Sequence, residues 1–388
     1  MTERLTALLA REVEALDVPP PPASAVLTRA HGLRRRRHAT RGIAAAVALA
    51  IAGTSAALLS GGDPSTAGID PAAPSPVVDV GIAFSVGSEV YVDGGERSVT
   101  IDDPAVKSFF YTSAGLVVRH GDNPSSDGGG PQRFSLVTAE GDRGPLALET
   151  EGVWHSADPS QPYLGYAEEV DGVVTAVVLD VRSQEEVVEV ALPEHSGAFT
   201  PTSLSGGTLY VGDPEAERAF EVDVATGEVV ATTGADAVWD VQGGHTVTDG
   251  PGGTTVVDVE TGEVLLEVPT SPDAFTYVNL SPDGRYAQVV GEDPDTFEPL
   301  PPVVYDVAAG RSVDLPADRS DDMSGYGWSN DSEDLFGVLA SGEVLSCAAA
   351  SGECTTTDPG LAAAPEQLLG GDEDFSRYLV VGGRVRES

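Results

Sequence analysis

The chain has 388 residues, with 62 Asp or Glu against 21 Lys or Arg and a formal net charge of −41 at pH 7. A surface this acidic repels nucleic acid and anionic lipid headgroups, which excludes DNA and RNA as partners of its acidic part. The two cysteines, Cys347 and Cys354, are too few for a multi-cysteine zinc or iron–sulfur site.

The charge is unevenly placed. Residues 1–62 carry eight Arg and four acidic residues, a net of +4, so the 13 bases and 58 acids beyond them give −45. Lys107 is the only lysine. Solubility and genome composition account for that acidity, and adaptation to high salt would look the same.

From the start, Leu5, Leu8, Leu9, Val13 and Leu16 recur at helical spacing behind Thr2, a residue suited to an N-cap. Glu12 interrupts the apolar stripe, and a helix this short is marginal in water without a partner. Pro19–Pro22 ends it, and a second helical pattern over Ser24–His38 leads into Arg34, Arg35, Arg36 and Arg37. The segment reads as a cytoplasmic tail, or more sharply as a docking helix for a cytoplasmic partner.

Arg41 is the last charge before an apolar run from Gly42 to Gly62. At 1.5 Å per helical residue that run spans about 31 Å, the hydrocarbon thickness of a bilayer. The spacing predicts one membrane-spanning helix over residues 42–62. The arginines Arg34–Arg37 and Arg41 should hold residues 1–41 in the cytoplasm, because arginine is costly to translocate. A rival reading is a cleaved secretion signal, but the run is longer than a usual signal core and about 41 residues precede it. Residues 63–77, rich in Pro, Ser, Ala and Gly, read as a linker.

From residue 78 to residue 388 short β-branched runs alternate with turn residues, repeating roughly every 35 to 48 positions. The clearest units are Val222-Asp223-Val224-Ala225-Thr226-Gly227-Glu228-Val229 and Val257-Asp258-Val259-Glu260-Thr261-Gly262-Glu263-Val264. Asp and Thr bond nearby backbone, Gly takes the left-handed position, and the flanking apolar residues alternate across a pleated sheet, so these are β-hairpins. Looser copies fall at Thr138–Asp142, Asp180–Glu185, Asp306–Arg311 and Ala348–Glu353. A second turn lies between them, at Ser205-Gly206-Gly207, Gly243-Gly244, Ser281-Pro282-Asp283-Gly284-Arg285-Tyr286 and Ser329–Glu333. Two turns per repeat mean four antiparallel strands, and such repeats stack radially into a β-propeller.

On these motifs the chain resembles the propeller families with WD40-like or TolB-like repeats, over about residues 78–386. It lacks the paired Gly-His and Trp-Asp signatures of true WD40 proteins, so no binding surface carries over residue by residue. Six whole repeats lie between about Ala105 and Thr357, with strands left over at both ends. Unpaired edges are a liability, so the leftovers are expected to pair and close a seventh blade; six blades with a stray hairpin is the alternative. The layout also resembles membrane-anchored propeller proteins of actinobacterial type, some of them similar to anti-sigma factors. Residues 1–41 contain no cysteine, however, and so lack the zinc-binding pattern of the common anti-sigma domain.

Cys347 and Cys354 flank the turn of the last whole hairpin, where facing strand positions suit a disulfide in an oxidising compartment. Catalytic constellations are sparse. His120, His155, His195 and His245 fall about one per repeat, with His155 and His245 near the ends of inner strands, where a channel-axis metal would sit. Acidic stretches at 122–127, 292–298, 318–322 and 372–374 have the oxygens that calcium takes, without EF-hand spacing. Trp154, Trp239 and Trp328 recur at similar places, as expected of packing between blades. No cofactor is expected beyond that calcium. The expected function is a non-enzymatic binding, scaffold or sensor protein of the cell envelope, held in the plasma membrane with the propeller outside. Its partner would be an envelope protein, peptide or polymer. A propeller hydrolase or lyase with a channel metal, or an anti-sigma-like signalling protein, is the alternative.

Overall fold

The computed structural model describes residues 78–124, 130–197, 200–233, 240–250, 253–268, 275–292, 302–315, 326–361 and 375–383. The expected tail, anchor and linker, with Arg34, Arg35, Arg36, Arg37 and Arg41, lie outside them, as does Trp239. Among the described residues no helix is long and apolar enough to cross a membrane.

Among the described residues twenty-eight strands form seven four-stranded antiparallel sheets, the blades of a propeller. Blade 2 runs β4 (Ala105–Thr112), β5 (Gly115–Gly121), β6 (Gln132–Val137) and β7 (Arg143–Thr150). Blade 3 is β8 (His155–Ala157) to β11 (Glu185–Ala191), and blade 4 is β12 (Thr202–Ser205) to β15 (Val229–Thr233). Blade 5 is β16 (Val241–Gln242) to β19 (Val264–Glu267), blade 6 is β20 (Phe275–Leu280) to β23 (Arg311–Asp314), and blade 7 is β24 (Gly327–Trp328) to β27 (Cys354–Thr357).

Blade 1 is composite. Its outer strands are β1 (Phe84–Val86), β2 (Glu89–Val92) and β3 (Arg97–Thr100), and β1 pairs with β28 (Leu379–Val381) from the other end of the domain. The register sets Phe84 opposite Val381 and Val86 opposite Leu379, and Phe84 stacks on Tyr91 with ring centroids 4.8 Å apart. The expected closure by both ends of the domain is therefore present, and the blades number seven.

Every expected hairpin is a turn between strands of one blade. In blade 4 the Asp223 carboxylate accepts from the Thr226 backbone N–H and hydroxyl, each at 2.7 Å, and Gly227 follows at φ +70°. Asp258 and Thr261 repeat the arrangement in blade 5 at 2.8 Å. The core is divided into layers between neighbouring blades. Phe110, Val117 and Phe134 of blade 2, for example, pack on Leu164, Tyr166 and Val177 of blade 3. Each layer buries the apolar face that a lone four-stranded sheet would leave wet.

Cys347 and Cys354 face each other across β26 (Val344–Ala348) and β27, and form the expected disulfide, with Cα atoms 4.0 Å apart. Trp328 is buried against Tyr286 of blade 6, in the expected inter-blade position.

Candidate functional site

The turns that join the first two strands of blades 2 to 7, with the chain before β1 in the corresponding place of blade 1, meet on one side of the disc and are bonded to one another. Val78 N–H donates to Ser113 O, and Ser113 N–H donates to Gln161 O, linking blades 1, 2 and 3. Asp158 accepts from Gly206 N–H at 2.7 Å, Ser205 Oγ accepts from Gly244 N–H at 3.1 Å, and His245 Nδ1 donates to Gly284 O at 2.9 Å. Asp283 N–H donates to Ser332 Oγ, and the Asn330 side chain donates to Val78 O at 3.2 Å, which returns the ring to its start. These short polar residues were legible as turn formers, but nothing local in the sequence shows that each turn bonds the next.

Inside this ring a small cavity of about 60 Å³, partly open to solvent, lies among the innermost strands. Phe109, Phe110 and Tyr111 come from β4, His155 and Ser156 from β8, Thr202 and Ser203 from β12, and Gln242 from β16. Among the described residues no Asp, Glu, Lys or Arg lines it. Ser203 Oγ is engaged in bonding both the N–H and the carbonyl of Val241, at 2.8 and 3.0 Å, and Thr202 Oγ1 donates to Trp154 O. Tyr111 Oη donates to Trp328 O at 3.0 Å, across the seam of the composite blade.

His155 is 5% exposed and packed by the rings of Phe110, Phe134 and Tyr166, with Nε2 bonded to Thr150 Oγ1 at 3.2 Å. Burial, helped by the buried Arg119 guanidinium, pushes its pKa well below the ordinary histidine value. The ring is therefore neutral at pH 7. A backbone hydrogen bond to Val153 opposes that shift without reversing it, and the neighbouring Ser156 Oγ is buried with no partner among the described residues.

His245 belongs to the turn ring and does not join His155 on an axis. Among the described residues no group of three His, Cys, Asp or Glu side chains is placed to hold a metal ion. The acidic stretches considered for calcium lie mostly outside the described residues.

The remaining histidines fasten one blade to the next. On blade 2, His120 Nδ1 donates to Asp103 at 2.5 Å, while Ser135 Oγ lies 3.0 Å from Nε2. Arg133 grips the same Asp103 at 2.6 and 2.8 Å and also reaches Asp122. The order Ser–His–Asp is that of a hydrolytic relay. Here, however, Ser135 is buried within β6, on the side of the sheet that packs against blade 1, and Asp103 sits in the chain passing from blade 1 to blade 2. Burial depresses the His120 pKa more than Asp103 raises it. Burial alone would raise Asp103, but the bonds from Arg133 and His120 outweigh it and hold the carboxyl below its ordinary range.

Blade 4 has a similar fastening. Asp213 is fully buried and accepts from Ser196 N–H, Ser196 Oγ and Arg218, while His195 Nε2 donates to Gly212 O. Sequence reasoning found the four histidines but missed Asp103, Arg133, Asp213 and Arg218. The available signal was the scarcity of bases in so acidic a body, since each remaining Arg is worth asking what it holds.

The fold defines a seven-bladed β-propeller. No protein-family model and no curated protein sequence matches the chain. Solved structures that resemble it include the hydrazine synthase of Kuenenia stuttgartiensis, 17% identical, with a TM-score of 0.41 over 67% of this chain and 80% of that one. TolB from Acinetobacter baumannii is 12% identical, with a TM-score of 0.37 over 72% of this chain and 64% of that one. The dihydro-heme d1 dehydrogenase NirN is also 12% identical, at 0.41 over 74% and 76%. The likeness concerns the fold alone.

Proposed function

We propose that the chain is a single-pass, membrane-anchored, extracytoplasmic propeller that serves the cell envelope as a binding, scaffold or sensor protein without chemistry of its own. The observation that carries this reading is the use to which its reactive side chains are put. His120, His195 and His245, with Asp103, Asp158 and Asp213, bond one blade or connection to another. His155 is enclosed by aromatic rings, and the described residues that border the central cavity are neutral. A closed disc braced in this way presents a fixed surface, which favours recognition over turnover. The partner is an envelope protein, peptide or polymer. Residues 42–62 hold the disc to the plasma membrane, and residues 1–41 face the cytoplasm, where the helical tail meets a partner of its own. A hydrolase or lyase with a channel metal would need His155 and His245 to converge, and they are engaged elsewhere.

Protease treatment of intact cells tests the arrangement. The propeller is expected to be cut or labelled from outside while the tail stays protected; an accessible tail and a protected propeller would overturn it. Mild crosslinking on the same cells should recover a defined envelope partner, and an empty result counts against the scaffold.

A further inference from the structure

Each blade ends in an outer strand with one edge unpaired by its own sheet: β3, β7, β11, β15, β19, β23 and β27. Such an edge offers a row of N–H and C=O groups to any passing strand, and proteins blunt it with a charge or a proline. Five of the seven are blunted in this way. β3 carries Arg97, β7 Pro145, β11 Glu186 and Glu189, β19 Glu267 and β23 Arg311. β27 is uncharged, but beyond Cys354, which the disulfide ties to β26, it offers only threonines. β15 differs from all of these: Val229-Val230-Ala231-Thr232-Thr233 has no charge, no proline and no glycine, and it is β-branched at four of five positions.

Its register on β14 (Arg218–Asp223) sets Val229 opposite Val222 and Ala231 opposite Phe220, and Val229 rests on the layer between blades 3 and 4. Val230 alternates to the other face and is 49% exposed. Among the described residues no further strand pairs with β15. In an antiparallel pair every second residue bonds through both its N–H and its C=O, so the alternate residues of an edge strand turn both groups outward.

Acids stand at both ends of this uncharged edge. Exposed Glu228 precedes the strand, and exposed Glu215 and Glu217 lie just before Arg218, the residue opposite Thr233. Arg218 is itself engaged, 3.1 Å from Asp213 and 3.6 Å from Glu194. A second copy paired antiparallel on the edge would bring Glu228 of each disc against Glu217 of the other, so the acids repel self-pairing and attract a cationic partner.

From this we infer that β15 takes an extended peptide by strand addition, a segment of about five residues, β-branched or small in its middle and carrying Arg or Lys at both ends. Main-chain bonds supply the affinity, the side chain beside Val230 and the flanking acids the selection. The inference rests on reading the propeller as a binding protein and gives that reading a place and a kind of ligand.

The test uses the full chain in mild detergent and three labelled, end-capped peptides: Arg-Thr-Val-Thr-Val-Arg, a version with Glu in place of both Arg, and a version with Pro in place of both Val. Fluorescence anisotropy is expected to show saturable binding of the first, with each of the others weaker by roughly tenfold or more, one through charge and the other through lost strand pairing. Val230→Lys, at an exposed position, should weaken the first peptide by about fivefold or more and leave the melting temperature in place, while Thr355→Lys on β27 should change neither. If Val230→Lys lowers the melting temperature, Glu217→Gln with Glu228→Gln carries the comparison, as a loss of preference for the basic peptide over the acidic one. Amide hydrogen exchange should slow in residues 229–233 when the first peptide binds and stay unchanged in the outer strands of the other blades. No saturable binding, equal binding of the acidic or the proline peptide, indifference to Val230→Lys, or protection outside blade 4 would each overturn the inference. A crosslinked envelope partner whose capture ignores Val230→Lys would remove the edge site and leave the scaffold reading standing. A propeller found inside the cell would remove the envelope reading without touching the titration.

Discussion

His155 is the clearest case of one residue held in a state it would not adopt in water. Its ring is neutral in the fold and free to protonate in the unfolded chain, so the unfolded state binds more protons as the pH falls. A folded-state pKa below the ordinary value contributes stability that is intact above about pH 6.5 and is lost progressively below it. His120 shifts in the same direction. Asp103 and Asp213, held below the usual carboxylate range, add losses at lower pH, as acid reaches their folded-state values. Stability measured by urea unfolding is therefore expected to be lower at pH 5 than at pH 7.5, by about 2 kcal/mol for each histidine that stays neutral. His155→Gln keeps a polar side chain without a titrating one and should flatten that slope; an unchanged slope would mean that His155 is protonated in the fold. Sequence could locate these histidines. It could not show that one is caged by rings and another pinned by Asp103, because those neighbours arrive from other strands and connections.

At the scale of the element, the turns carry the specificity. Gly243 has φ +55°, and a Cβ there would lie 1.8 Å from Asp283 O, in the next blade's turn. Gly243→Ala combines left-handed backbone strain with a clash against backbone that cannot swing away, an expected cost of roughly 2–4 kcal/mol by denaturant unfolding. Gly206 has φ +60° with nothing within 4 Å of its Cβ position, so Gly206→Ala bears only the strain and should cost about 1 kcal/mol. Equal losses at the two sites would show that the ring of turns does not brace the disc. Both glycines read as turn formers in the sequence, since each sits in a Gly-Gly pair between apolar runs. The difference between them is invisible there, because it depends on what the neighbouring blade places opposite. The disulfide was more legible: Cys347 and Cys354 flank a hairpin turn, and antiparallel pairing of β26 and β27 sets them face to face.

For the whole molecule, closure decides stability. β28 seats Leu379 and Val381 in the layer between blades 7 and 1, beside Phe84, Phe336 and Val338. Beyond it the chain passes through a tight seam, where a Cβ on Gly382 would lie 2.6 Å from Tyr111 Oη and one on Gly383 would lie 2.4 Å from Trp328 O. Deleting residues 375–388 removes those two apolar side chains and bares the edge of β1. The expected loss is roughly 3–6 kcal/mol at 1.5–3 kcal/mol per buried side chain, or about 10 °C in melting temperature. An unchanged melting temperature would show that the ring is closed without β28. The blade count, the turn positions and the closing partnership could be reasoned from amino-acid order, because period-2 alternation and Asp-x-x-Thr-Gly chemistry act within a few residues, and a leftover edge must find a partner. The bonds from turn to turn, the buried fastenings of Asp103 and Asp213, and the cage of Phe110, Phe134 and Tyr166 around His155 join residues well apart in sequence. They exist only once seven sheets stand round a common axis, since radial packing is what sets those side chains within hydrogen-bond reach.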